Sequence, residues 1–291
     1  MAKDQNFIAE GVRAERAGAL DRAAESYVAA ASSTHDPAVR SEALTHLADV
    51  YRTRCDWDHA LQCAREAQVI ADAAGLDTHA AEALNAETLI LITRGDFAAA
   101  IPKCETIAAT ATDVRLRGIA LQNLGSIYAQ SGEVAAAQRA FRDSLGCFQR
   151  AEYVRGQGIA LNNLGRLALD GGDVAAARPL LEEALVAARD VEDADLAALV
   201  SLNLASALCH AGELDRAQDC AMAALGYFAD CDNRWREIEC LRLIGDINMR
   251  CEDIDKAARC YDLALKLAEQ IGAEVEVQLT RARIEALGTR S

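Results

Sequence analysis

Seven stretches of this chain repeat one another at nearly constant spacing, which restricts it to architectures assembled from similar units. Aligned on a turn and the alanines after it, they read AGALDRAAESY from position 17, RCDWDHALQCA from 54, RGDFAAAIPKC from 94, SGEVAAAQRAF from 131, GGDVAAARPLL from 171, AGELDRAQDCA from 211 and RCEDIDKAARCY from 250. Each carries a Gly or Cys, usually an acid, then an apolar residue. An alanine follows at a fixed offset: Ala23, Ala60, Ala100, Ala137, Ala177, Ala217 and Ala257. The Gly and acid read as one helix ending and the next beginning, with the carboxylate capping free backbone N–H groups. Before the turn, Leu121, Leu124, Gly125 and Tyr128 recur at i, i+3, i+4 and i+7, so an amphipathic helix precedes it. After it, Ala137, Phe141 and Ser144 supply the facing stripe, and the unit is an antiparallel helix pair. Gly125 and Gly165 become Ala48 and Ala205 elsewhere, so this position needs a small residue where two helices approach closely.

Composition agrees. Only 3 prolines and 4% aromatic residues, with abundant Ala, Leu, Glu and Arg, favour helix throughout. The net charge of -15 argues against nucleic acid and anionic membrane surfaces as partners, and favours a partner of basic or apolar character. The opening MAKDQNFIAEG lacks the apolar core of a signal peptide, and no later segment reads as a membrane span. A soluble cytoplasmic protein is expected. The 10 cysteines include no CxxC pair, and Cys63, Cys220 and Cys260 fall at one place in three repeats. They read as small, half-buried, reduced residues, with neither a metal nor a cofactor required.

A small residue in the first helix, an alanine twelve positions later and an aromatic or apolar residue four further on make this unit resemble the tetratricopeptide repeat. The match is to the variety of roughly forty residues found in bacterial regulators, kinesin light chains and cell-polarity scaffolds, and covers nearly the whole chain. The resemblance implies an all-α fold: a right-handed superhelical α-solenoid of seven helix pairs plus a C-terminal helix, forming one domain over 1–291. The repeats are placed at 4–36, 41–75, 80–112, 117–152, 157–191, 197–231 and 237–272, with a terminal helix at 274–288 covering the last. Glu10 and Glu87 depart from the pattern by replacing the leucine of Leu47, Leu124, Leu164 and Leu204. The first repeat reads as a solvated cap. Glu87 must be paired or at the surface, because an unpaired buried carboxylate is costly.

One repeated feature exceeds what stacking needs. Asn123, Asn163 and Asn203 stand forty residues apart, each just before the buried leucine and beside the inward-facing positions. Around them are expected Gln122, Ser126 and Gln130, then Asn162, Arg166 and Asp170, then Ser206 and His210, then Arg242, Asp246 and Arg250. An amide both donates and accepts, so it can hold an extended peptide main chain whatever its sequence. In the resembling family asparagines here commonly do so. The alternative is that they only bridge neighbouring helices. Replacing all three by alanine is expected to weaken partner binding and leave the melting temperature nearly unchanged. The third repeat offers Glu82, Asn85, Leu89 and Ile92 to the same face, either as a small apolar pocket or as core. Trp235, between Arg234 and Arg236 and matching Arg115 and Arg155, is either a partner anchor or inter-repeat packing.

The histidines His35, His46, His59, His79 and His210 are dispersed, no nucleotide-binding, metalloprotease or hydrolase motif occurs, and no enzyme is expected. The first functional expectation is an interaction scaffold holding a protein or peptide partner in its concave groove. Two others stand beside it: a ligand- or peptide-responsive regulator of bacterial type, and a structural factor that self-assembles through its terminal repeats.

Overall fold

Short turns between helix-forming runs divide the chain as the repeats suggest. The computed structural model describes residues 2–288, so Met1 and residues 289–291 of the expected domain lie outside it. The described helices pair as α1 (Ala2–Arg16) with α2 (Leu20–Ser33), α3 (Pro37–Thr53) with α4 (Trp57–Ala73), α5 (Asp77–Thr93) with α6 (Phe97–Thr110), and α7 (Val114–Gln130) with α8 (Val134–Arg150). They continue as α9 (Val154–Asp170) with α10 (Val174–Asp190), α11 (Ala194–Ala211) with α12 (Leu214–Asp230), and α13 (Arg234–Arg250) with α14 (Ile254–Gln270), ending in α15 (Glu274–Gly288). No strand occurs among the described residues. The chain forms two compact units, Met1–Glu152 with α1–α8 and Tyr153–Ser291 with α9–α15. Within each, every helix packs on the next, and first helices also touch the next first helix, as α3 touches α5 and α9 touches α11.

From the second repeat on, first helices begin three or four residues ahead of the expected repeat starts. The cause is capping: Asp36, Asp113, Asp193 and Asn233 accept hydrogen bonds from the N–H groups of Ala38, Arg115, Leu196 and Arg236 and so fix those earlier starts. Most turns hold one residue in the left-handed region, Gly at seven of them, and Cys55, Glu152, Glu192, Asp232 and Glu252 at others. In the last pair that residue is Glu252 (φ 61°), whereas Cys251 (φ -83°) still belongs to the helix end, one place off the alignment drawn from sequence.

The small-residue position is explained by what sits on it. A Cβ added at Gly125 would come within 2.5 Å of the Phe141 ring, at Gly245 within 2.3 Å of Tyr261, at Gly11 within 2.4 Å of Tyr27, and at Gly165 within 2.6 Å of Leu181. In each case the partner lies sixteen residues later, on the second helix of the pair. Elsewhere the first member is larger and the second smaller: Ala48 with Ala64, Thr88 with Cys104, Ala205 with Ala221, all at 0% exposure. A ring or branched side chain thus goes only with glycine beneath it, as dense packing requires. The seven repeated alanines are also at 0% exposure.

Glu87 is buried and paired. It accepts from Arg65 Nε at 2.9 Å and Lys103 Nζ at 2.8 Å. Glu10 is half-buried and accepts from Asn6 at 3.1 Å. Contrary to expectation, α11 is long and apolar enough by length and composition to cross a membrane. Its apolarity has a local cause, since Leu196, Val200, Leu204, Ala205 and Leu208 are buried between neighbouring helices.

Candidate functional site

A spacing of forty residues puts equivalent positions of α9, α11 and α13 side by side, so their polar residues converge within the second unit. They line a cavity of about 930 Å³, closed further by Tyr261 of α14 and by Arg283 and Ala286 of α15. Nine of the residues singled out from sequence meet here: Asn162, Asn163, Arg166, Asn203, Ser206, His210, Arg242, Asp246 and Arg250. Gln122 and Asn123 belong to the first unit, where the Gln122 Oε1 is buried without a hydrogen-bond partner among the described residues.

The asparagines divide into two roles. Asn203 Nδ2 donates to Asn162 Oδ1 at 2.8 Å, tying α11 to α9, and Asn162 is only 3% exposed. Asn123 does the same in the first unit, donating to Asn85 at 3.2 Å and tying α7 to α5. Helix bridging is therefore present at two of the three positions, and Asn85 serves it. Asn163 lines the cavity, half-buried. In the same third repeat, Ile92 packs with Leu91 and Phe97 as core. Trp235 is 55% exposed and no member of the cavity.

Around the amides lie five arginines, Arg166, Arg236, Arg242, Arg250 and Arg283, against two lining carboxylates, Glu239 and Asp246. Asp246 accepts from Tyr261 Oη at 2.7 Å and from Arg283 Nε at 2.9 Å. Burial first, and then that carboxylate, push the Tyr261 phenol pKa up, so it stays a donor. Arg236 donates to Glu239 at 2.6 Å, and Arg166 to Asp170 at 3.3 Å. Arg242 meets Glu276 of α15 at 2.5 Å, both side chains largely buried, yet off the line a hydrogen bond needs, and Arg242 Nε has no acceptor among the described residues. Arg250 donates to the carbonyl oxygen of Cys209 in the last turn of α11. His210 is exposed, with Nδ1 2.8 Å from the Ser206 carbonyl. The sequence reading named Arg236 only as a neighbour of Trp235, and missed Arg283 and Tyr261 as site residues. Arg283 lies on the terminal helix, which read only as a cover.

The ten cysteines are unpaired thiols. Burial pushes Cys63 up to about 11 and Cys104 and Cys240 to about 12, which keeps them protonated and poorly nucleophilic. Among the described residues, no group of three or more His, Cys, Asp or Glu is placed to hold a metal ion.

Helix pairs that recur every forty residues, each with a small residue seated under its partner helix, define an α-hairpin repeat protein. Residues 116–190 match the tetratricopeptide repeat family. No curated sequence relative matches it. Similar solved structures include the apo form of RapI, at 14% identity over 93% of this chain and 99% of that one, with a TM-score of 0.68. A Rap protein complexed with Competence and Sporulation Factor is similar at 15% identity over 93% and 76%, TM-score 0.69. PilF of Pseudomonas aeruginosa is similar at 20% identity over 84% and 97%, TM-score 0.61. At these identities the likeness is one of fold.

Proposed function

We propose that the chain is a cytoplasmic interaction scaffold that holds an extended peptide or partner segment in the cavity of its second unit. The observation that carries this reading is the convergence of Asn163, Asn203 and several half-exposed arginines on one cleft of about 930 Å³. Such a cleft suits a main chain, because amides offer both donor and acceptor. The Rap protein complexed with Competence and Sporulation Factor shares the fold, which lends support by analogy. Binding rather than catalysis fits the buried, protonated thiols and a His210 whose Nδ1 is engaged by a backbone carbonyl.

The test is a peptide array probed with the protein and with Asn163→Ala and Asn203→Ala. Each lost main-chain hydrogen bond is expected to weaken binding by about 0.5–1.5 kcal/mol. The two variants differ in stability. Asn163→Ala leaves the melting temperature unchanged, whereas Asn203→Ala orphans the buried Asn162 oxygen and costs about 1–3 kcal/mol. The expectation that alanine is harmless at all three asparagines is revised for that reason. Undiminished array binding by folded Asn163→Ala sinks the reading.

A further inference from the structure

The third repeat is shorter than its neighbours, and a cleft opens where its missing turn would lie. Ala137 follows Ala100 by 37 positions, whereas Ala100 follows Ala60 by 40. Correspondingly, α6 has 14 residues where α4 and α8 have 17. In the fourth repeat the last turns of α8 bring Phe148 over Gly118, with the ring 2.7 Å from where a Cβ would stand. The positions 37 residues earlier hold Ala81 and Ala111, and Ala111 has already left the helix for an extended conformation (ψ 130°). No ring therefore covers the first half of α5. A cavity of about 390 Å³ remains there, between α5 and the C-terminal turns of α4 and α6, wholly within the first unit.

We propose that this cleft binds a primary ammonium group carried on a short aliphatic stem. The inference is independent of the peptide-binding reading, which concerns the second unit.

Its lining offers acceptors beside an apolar surface. Ala80, Ala81, Leu84 and Ile107 supply the apolar part, which suits a run of methylene groups. The hydroxyls of Thr106 and Thr110 already donate to the carbonyl oxygens of Pro102 and Thr106, each at 2.8 Å, so toward a ligand they accept. Asp72 and Asp77 bring two carboxylates, and neither has a salt-bridge partner among the described residues. No Lys, Arg or His lines the cleft. The ends of α4 and α6 add unpaired carbonyl groups and the negative poles of two helix dipoles. The first turn of α5 opposes them with its positive pole, but carries Asp77. Only the Gln68 amide can also donate. An ammonium group has three donors, a positive charge and no acceptor, which complements this set. The volume falls in the lower part of the range that small-molecule sites occupy.

The experiment is a saturation-transfer NMR titration of the full chain at pH 7, where a primary amine is protonated, with n-pentylamine, n-pentanol and pentanoate as probes. Pentylamine is expected to bind about tenfold tighter than pentanol, with the preference shrinking as salt is raised, and pentanoate to bind more weakly than either. Asp72 and Asp77 are both exposed, so Asp72→Asn with Asp77→Asn should fold as the parent does and bring pentylamine down to the level of pentanol. Ala80→Leu places a good helix former in the cleft and should remove the binding of both. Asp219→Asn with Asp262→Asn makes the same change of charge at exposed positions of the second unit, and should leave binding as it was. Nα-acetyl-lysine N-methylamide competing as well as pentylamine supports the proposal and assigns the ammonium to a partner's lysine side chain; competing less well supports it and assigns the group to a free amine. Equal binding of amine and alcohol overturns the selection of a cation. Amine binding undiminished by Ala80→Leu, or lowered equally by the second-unit pair, overturns the assignment to this cleft. Failure of every probe to bind overturns the site altogether.

Discussion

Glu87 shows how a residue can break the repeat and still be accommodated. Four other repeats place leucine there, yet this carboxylate is 3% exposed, between Arg65 and Lys103. Burial pushes its pKa up, but the hydrogen bonds from Lys103 and then Arg65 outweigh burial and hold it below the usual carboxylate range. A carboxylate lowered in the folded state contributes stability that is complete above its unfolded pKa of about 4.3, and loses it as pH falls through the lower folded value. Glu87→Leu restores the residue of those repeats. It also frees Arg65, 62% exposed, and Lys103, 29% exposed, to turn to water. Exchanging a buried charge for an apolar side chain of similar volume is often neutral or stabilising, so stability at pH 7 is expected to hold or rise while the acid decline flattens. Glu87→Ala should be about 2–5 kcal/mol less stable than the leucine variant, because it leaves a cavity. Urea titrations at pH 7 and about pH 3.5 compare them. A leucine variant no more stable than the alanine one would exclude this account.

Between helices, the same turn is built with two chemistries. Asp56, Asp96, Asp173 and Asp253 accept from the N–H groups of His59, Ala99, Ala176 and Lys256, as the acid after the turn was expected to do. Glu133 and Glu213 stand at the same place and make no such cap. The longer glutamate is not among the side chains suited to this position. Glu213 is instead used by Arg178 and Arg216. Glu133→Asp should therefore give α8 the cap it lacks and raise stability by about 0.5–1 kcal/mol, while Asp173→Glu should lower it by a similar amount. Urea midpoints decide, and a Glu133→Asp variant weaker than the parent sinks the argument. Helix pairing, turn positions and the buried alanines were legible because they obey fixed local periods. Bridging by the asparagines was legible as an alternative, but their partners were not, since Asn203 meets Asn162 only through the register of two helices 41 residues apart in the bond they share. Nor was Arg283, whose helix lacks the pair motif that marks the others.

At the scale of the molecule, stability is assembled from neighbours. α10 packs on α9 and α11, and α9 touches α11, so a defect in α10 has few routes outward. Ala177 of α10 is at 0% exposure, and its carbonyl oxygen lies only 3.3 Å from where a Cβ on Gly165 would stand. Ala177→Leu adds three carbons to this contact and should cost about 1–3 kcal/mol in forced rotamers and backbone shifts. In a nearest-neighbour assembly that cost is relieved by opening the affected pairs before the rest unfolds. Hydrogen exchange should accordingly quicken first in α9, α10 and α11, while amides in α1–α4 keep their parent rates at the same denaturant concentration. Circular dichroism should show helix content almost unchanged under native conditions, because only a minor population is open at any time. Equal acceleration of exchange from α1 to α15 would mean that the helices unfold as one cooperative body, and would count against stability built pair by pair.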